Sequence, residues 1–339
     1  MTGPLFRRLL LTIVAVCVLM LLSWPAVALS AGPALEEAAG GSDTGPNDDA
    51  APVSSAITDL GWTTDGGQLV VATANRIELR HWPSLKVART ISTPLSRVFS
   101  FQIMTDAKCV CAGGRPGEQG QLAMLDLNSG DVLWHQSIRE DVAYQIAISE
   151  THIYAALHDQ SVAVLAADDG RLLDVWTGQS KPVTTVLRLD DELILSAGLD
   201  QTIRVRQADS GEIRRSLNNH TRAVTDLALR PDSNGLPMVA SVSEDRTIRF
   251  WQPTIGRLVR FKRLPSAADC VAFSADGSIA FCGARDGNVY AVEVDTLETR
   301  TIPSDVKGRI NGLAIHPNGK QAVLGDSNGQ LATIDLTSP

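Results

Sequence analysis

The sequence has few of the patterns that usually carry chemistry. No Gly-rich phosphate loop, no G-x-S-x-G and no H-E-x-x-H occurs along its 339 residues, so the familiar signatures of nucleotide binding, serine hydrolysis and zinc proteolysis are absent. There are six histidines, and His152 and His158 form the only close pair, with no Cys or carboxylate at a metal-ligand spacing from them. Cysteines number five, and no two are adjacent. The expectation is therefore no metal, no cofactor and no catalytic set. Positive charge is short as well: 30 Lys and Arg stand against 38 Asp and Glu, a formal net charge of -8. A mildly acidic chain argues against nucleic acid and against an anionic membrane surface as partner. With 44% hydrophobic and 20% charged residues, disorder as the main state is excluded.

Three regions follow from composition. In residues 1–30, Arg7 and Arg8 precede an apolar run from Leu9 to Leu22, and Pro25 is followed by small residues through Ala31. That order is the one of a secretory signal peptide, with cleavage after Ala28 or Ser30. Leu9 to Leu29 is also just long enough to span a bilayer as an uncleaved anchor, and either way the rest ends outside the cytoplasm. Residues 31–55 hold Glu36, Glu37, Asp43, Asp48 and Asp49 and no Lys or Arg, among several Gly and Pro. Such a stretch cannot bury enough apolar surface to order itself, and it reads as a disordered acidic linker.

Residues 56–339 repeat. In the clearest unit, His220 to Gln252, alternating apolar residues mark strands at Val224 to Leu229, Met238 to Val242 and Thr247 to Trp251, and a fourth follows at Leu258 to Phe261. The apolar residue that opens the third strand recurs as Ile77, Leu122, Val162, Ile203, Ile248, Val289 and Leu331, at intervals of 40 to 45 residues. Asp159, Asp200, Asp245 and Asp286 stand three positions before it, with Asn328 in the last unit. Seven units of four antiparallel strands describe an all-β fold, a seven-bladed β-propeller.

The segments D-R-T-I-R-F-W at Asp245 to Trp251 and D-Q-T-I-R-V-R at Asp200 to Arg206 resemble the WD-repeat (WD40) family. In that family a histidine, a Ser or Thr, the turn aspartate and a Trp form a hydrogen-bonded structural tetrad. The resemblance places it on His220, Ser241 or Ser243, Asp245 and Trp251, in blade five alone, since Arg206 holds the Trp position of blade four. A second likeness is to pyrroloquinoline-quinone-type propellers, through Asp126-Leu127-Asn128-Ser129-Gly130 and Trp134. There the motif turns the third strand into the fourth and lets an indole dock between blades.

Several side chains remain open to two readings. The repeated aspartates suit tight turns, where the carboxylate accepts nearby backbone N–H groups, better than an active site. Counting from a hairpin centred between Ser274 and Ser278 sets Cys270 opposite Cys282, either as a disulfide or as two small core thiols. The turn from Gly113 to Gly120 is several residues longer than its counterparts, so it marks a partner-binding face with Arg115, Glu118, His158, Arg222 and Arg285. The last unit stops soon after its third strand, and the segment before Ile57 is a poor strand former, so an incomplete seventh blade is expected. The functional reading is an exported, periplasmic or extracellular, non-enzymatic scaffold that holds another exported protein. Membrane contact is expected only through residues 9–29 if uncleaved. The alternatives are a quinoprotein-like enzyme or cofactor carrier, or a propeller of envelope assembly.

Overall fold

The computed structural model describes residues 55–337 apart from 106, 140 and 232–234, so the signal-peptide and linker expectations for residues 1–54 lie outside the described residues. Six sheets have four antiparallel strands in sequence order, and the seventh, built from Ile310–Ile315, Gln321–Asp326 and Leu331–Asp335, has three among the described residues. Each sheet is one blade of a seven-bladed propeller. All seven residues that open the repeat's third strand lie in third strands.

The core consists of seven separate apolar layers, one between each pair of neighbouring blades. Blades one and two meet through Val70, Ile77, Val98 and Cys111, and blades five and six through Phe250, Ile248, Cys282 and Val292. The ring closes where Ile57, Leu60 and Val71 of blade one pack on Ala314 and Val323 of blade seven. Because both faces of the inner strands are covered, they read as continuous apolar runs, such as VASVS in blade five, which is buried throughout.

Every first strand carries a β-bulge two residues from its start. The unpaired residue is Thr58, Phe99, Tyr144, Thr184, Thr225, Asp269 or Asn311, and a bulge re-aims it from the sheet. Several of these side chains bond to the next blade: Thr184 Oγ1 donates to Val224 O at 2.7 Å, Thr225 Oγ1 to Ala268 O at 2.7 Å, and Asn311 Nδ2 across the closing seam to Ile57 O at 3.0 Å. The following residue accepts from the next blade instead. Asp59 takes the N–H of Phe101 at 3.0 Å, Gln145 that of Val186 at 3.1 Å and Asp226 that of Val271 at 3.0 Å.

The outer strands interlock by a second device. Asp126 Oδ1 accepts the N–H groups of Asn128 and Ser129 at 2.8 and 2.9 Å, closing the turn into the fourth strand. The indole of Trp134 then lies on Gly170 of the next blade, where an added Cβ would stand 2.7 Å from the ring, and Trp176 lies on Gly211, where it would stand at 2.3 Å. Where no Trp is present, a polar side chain reaches the same turn of the next blade: Arg215 Nε donates to Thr254 O at 2.9 Å, Arg260 Nη1 to Val294 O at 2.9 Å and Arg300 Nη2 to Leu336 O at 2.8 Å.

Two expectations are corrected. The blade-six hairpin closes between Ser274 and Ile279, so in one continuous register Val271 faces Cys282 and Cys270 faces Gly283, with the bulge at Asp269 only beyond them. The two thiols point to opposite faces, Cys282 toward blade five and Cys270 toward blade seven, and both are free. The excess length of Gly113 to Gly120 is strand and not loop: Gly113, Gly114 and Arg115 pair with Gln121, Gly120 and Gln119, leaving a tight turn at Pro116 to Glu118. Gly113 is required because a Cβ there would lie 1.7 Å from the carbonyl oxygen of Arg97.

Candidate interaction surface

The blade-five residues form a directional chain. Trp251 Nε1 donates to Ser241 Oγ at 2.8 Å, Ser241 lies 2.7 Å from His220 Nε2, and His220 Nδ1 lies 2.8 Å from Asp245 Oδ2. A neutral imidazole satisfies every link: Nδ1–H donates to the carboxylate and Nε2 accepts the serine hydroxyl. Burial pushes the His220 pKa down against the pull of Asp245. For Asp245, burial works upward, but hydrogen bonds from His220 and Thr247 prevail and hold it well below the usual carboxylate range. Ser243 stands apart, donating to Arg222 O at 3.2 Å and accepting the N–H of Asp245 at 3.0 Å.

Other blades fill the same positions differently. Arg139 Nε donates to Asp159 at 2.7 Å in blade three, and Gln179 Nε2 to Asp200 at 3.3 Å in blade four. Arg206 replaces the indole in blade four. It is 1% exposed, its Nε donates to Ser196 Oγ at 3.0 Å, and its Nη1 donates to Thr177 O and Gly211 O at 3.0 and 3.1 Å. Burial pulls its pKa down to about 10. Asp159, Asp200, Asp245 and Asp286 each accept the N–H two residues on, at 3.1, 3.1, 2.9 and 3.2 Å. All four are occupied in turns, and among the described residues no group of three or more His, Cys, Asp or Glu could hold a metal ion.

One end of the propeller collects the turns between second and third strands and the connections between blades. At its blade-two corner Arg115 and Glu118 pair with each other at 3.3 Å, both well exposed. The turn reaches blade three through Gly117 N–H, which donates to Asp141 Oδ1 at 3.2 Å. Asp141 Oδ2 lies 3.8 Å from His158 Nε2, and His158 Nδ1 lies 2.6 Å from the hydroxyl of Tyr144. The Tyr144 ring meets Phe99 edge to face at 5.6 Å, and the Arg97 guanidinium lies 5.2 Å above Phe99. Burial, with Asp141 adding to it, pushes the Tyr144 pKa up to about 12.

Arg115, Glu118 and His158 are therefore joined through Asp141 into one corner. The other two expected residues lie in blades five and six. Arg222 is exposed, whereas Arg285 is held by Glu244 at 2.8 Å and Asp269 at 2.9 Å, and Asp269 also pairs with Arg309 at 2.8 Å. Asp141, Tyr144, Phe99 and Arg97 belong to the corner, but no motif marks them. Their signal is positional, since Phe99 and Tyr144 occupy the bulge position of successive blades.

The repeated turn aspartate, the tetrad and the closed ring of seven sheets define a β-propeller of the WD-repeat type. Residues 105–338 match the family described as outer membrane protein assembly factor BamB, and the chain belongs to that family. Among curated proteins it is similar to Protein ROOT INITIATION DEFECTIVE 3 of Arabidopsis thaliana, 30% identical over 187 residues, covering 50% of this chain and 42% of that protein. WD repeat-containing protein 90 of Homo sapiens is 30% identical over 122 residues, covering 36% of this chain and 7% of that one. Target of rapamycin complex subunit LST8 of Mus musculus is 25% identical over 152 residues, covering 43% and 45%. The chain spans less than half the length of these relatives. The residues of the quinone likeness do the structural work of that motif, Asp126 closing its own turn and Trp134 lying on Gly170 of the next blade.

Proposed function

We propose that the chain is an exported, non-enzymatic platform that holds another protein at the blade two–three corner. The observation that carries this reading is the lengthened hairpin ending at Pro116 to Glu118, whose tip is tied by Asp141 to His158 and Tyr144. A rigid sheet extension that presents a charged pair and an aromatic wall is pre-organised for a partner, so little ordering entropy is lost on binding. Support comes also from relatives, one of them named as a complex subunit. Export rests on residues 1–30 and on the description of the family as an outer-membrane assembly factor. The test is recovery of the protein with its partner from the exported fraction, comparing the parent with Arg115→Glu and His158→Ala. Loss of one stoichiometric protein from both variants, with unchanged melting, is the expected result. Full retention by both would refute the assignment of this corner, and a purified protein carrying an absorbing cofactor would favour the quinoprotein reading.

A further inference from the structure

The acidic net charge conceals an uneven distribution. Residues 203–263, which include the outer strands of blade four and all of blade five, carry twelve Lys and Arg against six Asp and Glu, while the rest of residues 56–339 carries sixteen against twenty-seven. The excess is densest on the fourth strand of blade five, Arg257–Arg263, whose sequence RLVRFKR has four cations and no acid. This strand is the outer edge of its sheet. Its register places Phe261 opposite Arg249 and Arg263 opposite Thr247, on the side of Trp251 and blade four, and turns Arg260 and Lys262 toward blade six. The Arg249 guanidinium stacks 5.0 Å from the centre of the Phe261 ring. Phe261 is 51% exposed and Ile255, in the turn just before the strand, 48%. Arg214 and Arg215 of blade four continue the same rim.

Cations on an edge strand have an ordinary use, which is to block pairing with other chains. That use does not account for this strand. The fourth strands of blades two and three, VLWHQSI and LLDVW, are equally outermost and have no Lys or Arg. An exposed Phe at the centre of the edge also runs against protection. Basic side chains alternating with exposed apolar ones are the composition of contact with a charged lipid interface, where the cations meet phosphates and the apolar groups enter between headgroups. A captured peptide would want a groove with pockets for its side chains. Here Arg257, Lys262 and Arg263 project from both sides of one edge, while Arg260 is held by Val294 O and Asp295 of blade six.

We propose that the rim of blade five, Arg257 to Arg263 with Ile255 and Phe261, docks onto an anionic phospholipid surface. The acids elsewhere do not oppose it, because charges beyond about 10 Å are largely screened at physiological salt. They help to orient the molecule, since the neighbouring blade six, residues 264–302, carries six Asp and Glu against two Arg and is repelled by the same surface. Docked by this rim, the propeller stands on edge and leaves the blade two–three corner accessible.

The experiment uses the full chain and compares partition onto vesicles of phosphatidylcholine mixed with phosphatidylglycerol against pure phosphatidylcholine vesicles. Any contribution of the N-terminal segment common to both vesicles cancels in the ratio. The expected result is stronger partition onto the anionic vesicles that weakens with salt, together with slowed amide exchange in Arg257–Arg263. The variant Arg257→Gln/Lys262→Gln/Arg263→Gln should lose about tenfold or more of the ratio. A charge-matched control, Lys86→Gln/Lys108→Gln/Lys320→Gln, should keep most of it. If the triple variant folds poorly, Arg257→Gln alone, at an exposed site, should lower the ratio by about threefold or more. Equal partition of the parent onto both vesicles, or equal loss in rim and control variants, would overturn the proposal. So would protection of Arg257–Arg263 by polyglutamate and not by vesicles, which would make the partner an acidic protein segment.

Discussion

Replacing His220 with alanine tests whether the blade-five chain holds the fold together. The imidazole is buried, with its two nitrogens at 2.8 and 2.7 Å from Asp245 and Ser241. Without it the Ser241 hydroxyl loses its acceptor in a fully buried site, while its oxygen still receives the indole N–H of Trp251, itself 1% exposed. Asp245 keeps Thr247 and the N–H of Thr221 but loses its ring donor. A buried polar group left unpaired costs about 1–3 kcal/mol, so one orphaned hydroxyl and one weakened carboxylate together should cost about 2–4 kcal/mol. At about 2–4 °C per kcal/mol for a domain of this size, the thermal midpoint should fall by roughly 5–15 °C. Chemical unfolding followed by tryptophan fluorescence measures the same loss. The double variant with Ser241→Ala should cost less than the two single changes added, because one hydroxyl accounts for part of both. An unchanged midpoint in His220→Ala, or strict additivity, would refute the reasoning.

Other outcomes are equally definite. Burial pushes the half-buried first-strand carboxylates Asp59 and Asp226 up to about 7 and about 6, so each contributes stability that is complete below the unfolded value of about 4 and lost as pH rises through its folded value. Asp59→Asn and Asp226→Asn should therefore flatten the fall in stability between about pH 4 and pH 7, measured by urea unfolding across that range; a steeper fall would reverse the sign. Gly211→Ala should lower the thermal midpoint, since its φ is +70° and the new methyl would meet the Trp176 ring, whereas Gly117→Ala, also at positive φ but with nothing near its Cβ, should lower it less. Alkylation after unfolding without reductant should label Cys109, Cys111, Cys270 and Cys282 alike, all of which are free thiols; protection of Cys270 and Cys282 as a pair would contradict the register.

The architecture was legible because a repeat fixes many positions at once. The seven strand-opening residues and the turn aspartates recur at one interval, and a single well-kept unit, His220 to Gln252, interprets the eroded ones. Register was less legible. The hairpin closing between Ser274 and Ile279 is invisible to a count of positions, and its one-residue difference in register puts Cys270 and Cys282 on opposite faces. Glycines misled at Gly113 to Gly120, where they signal close backbone approach within paired strands and not an irregular loop. The corner's Asp141, Tyr144 and Phe99 carry no motif, since their meaning comes from blades meeting in space. Arg206 shows the limit from the other side: a residue that breaks the Trp pattern still donates to Ser196, the blade-four counterpart of Ser241. Net charge, a sum over the chain, hid the basic rim of blade five.

A photo-reactive amino acid placed singly at Arg115, at His158 and, on the opposite end of the propeller, at Asn318 tests the platform reading most directly, with cross-linking done in the protein's own cells. Cross-linking of one and the same protein from Arg115 and His158, and not from Asn318, is the expected result. Cross-links from Asn318 alone, or the same yield from all three positions, would contradict it.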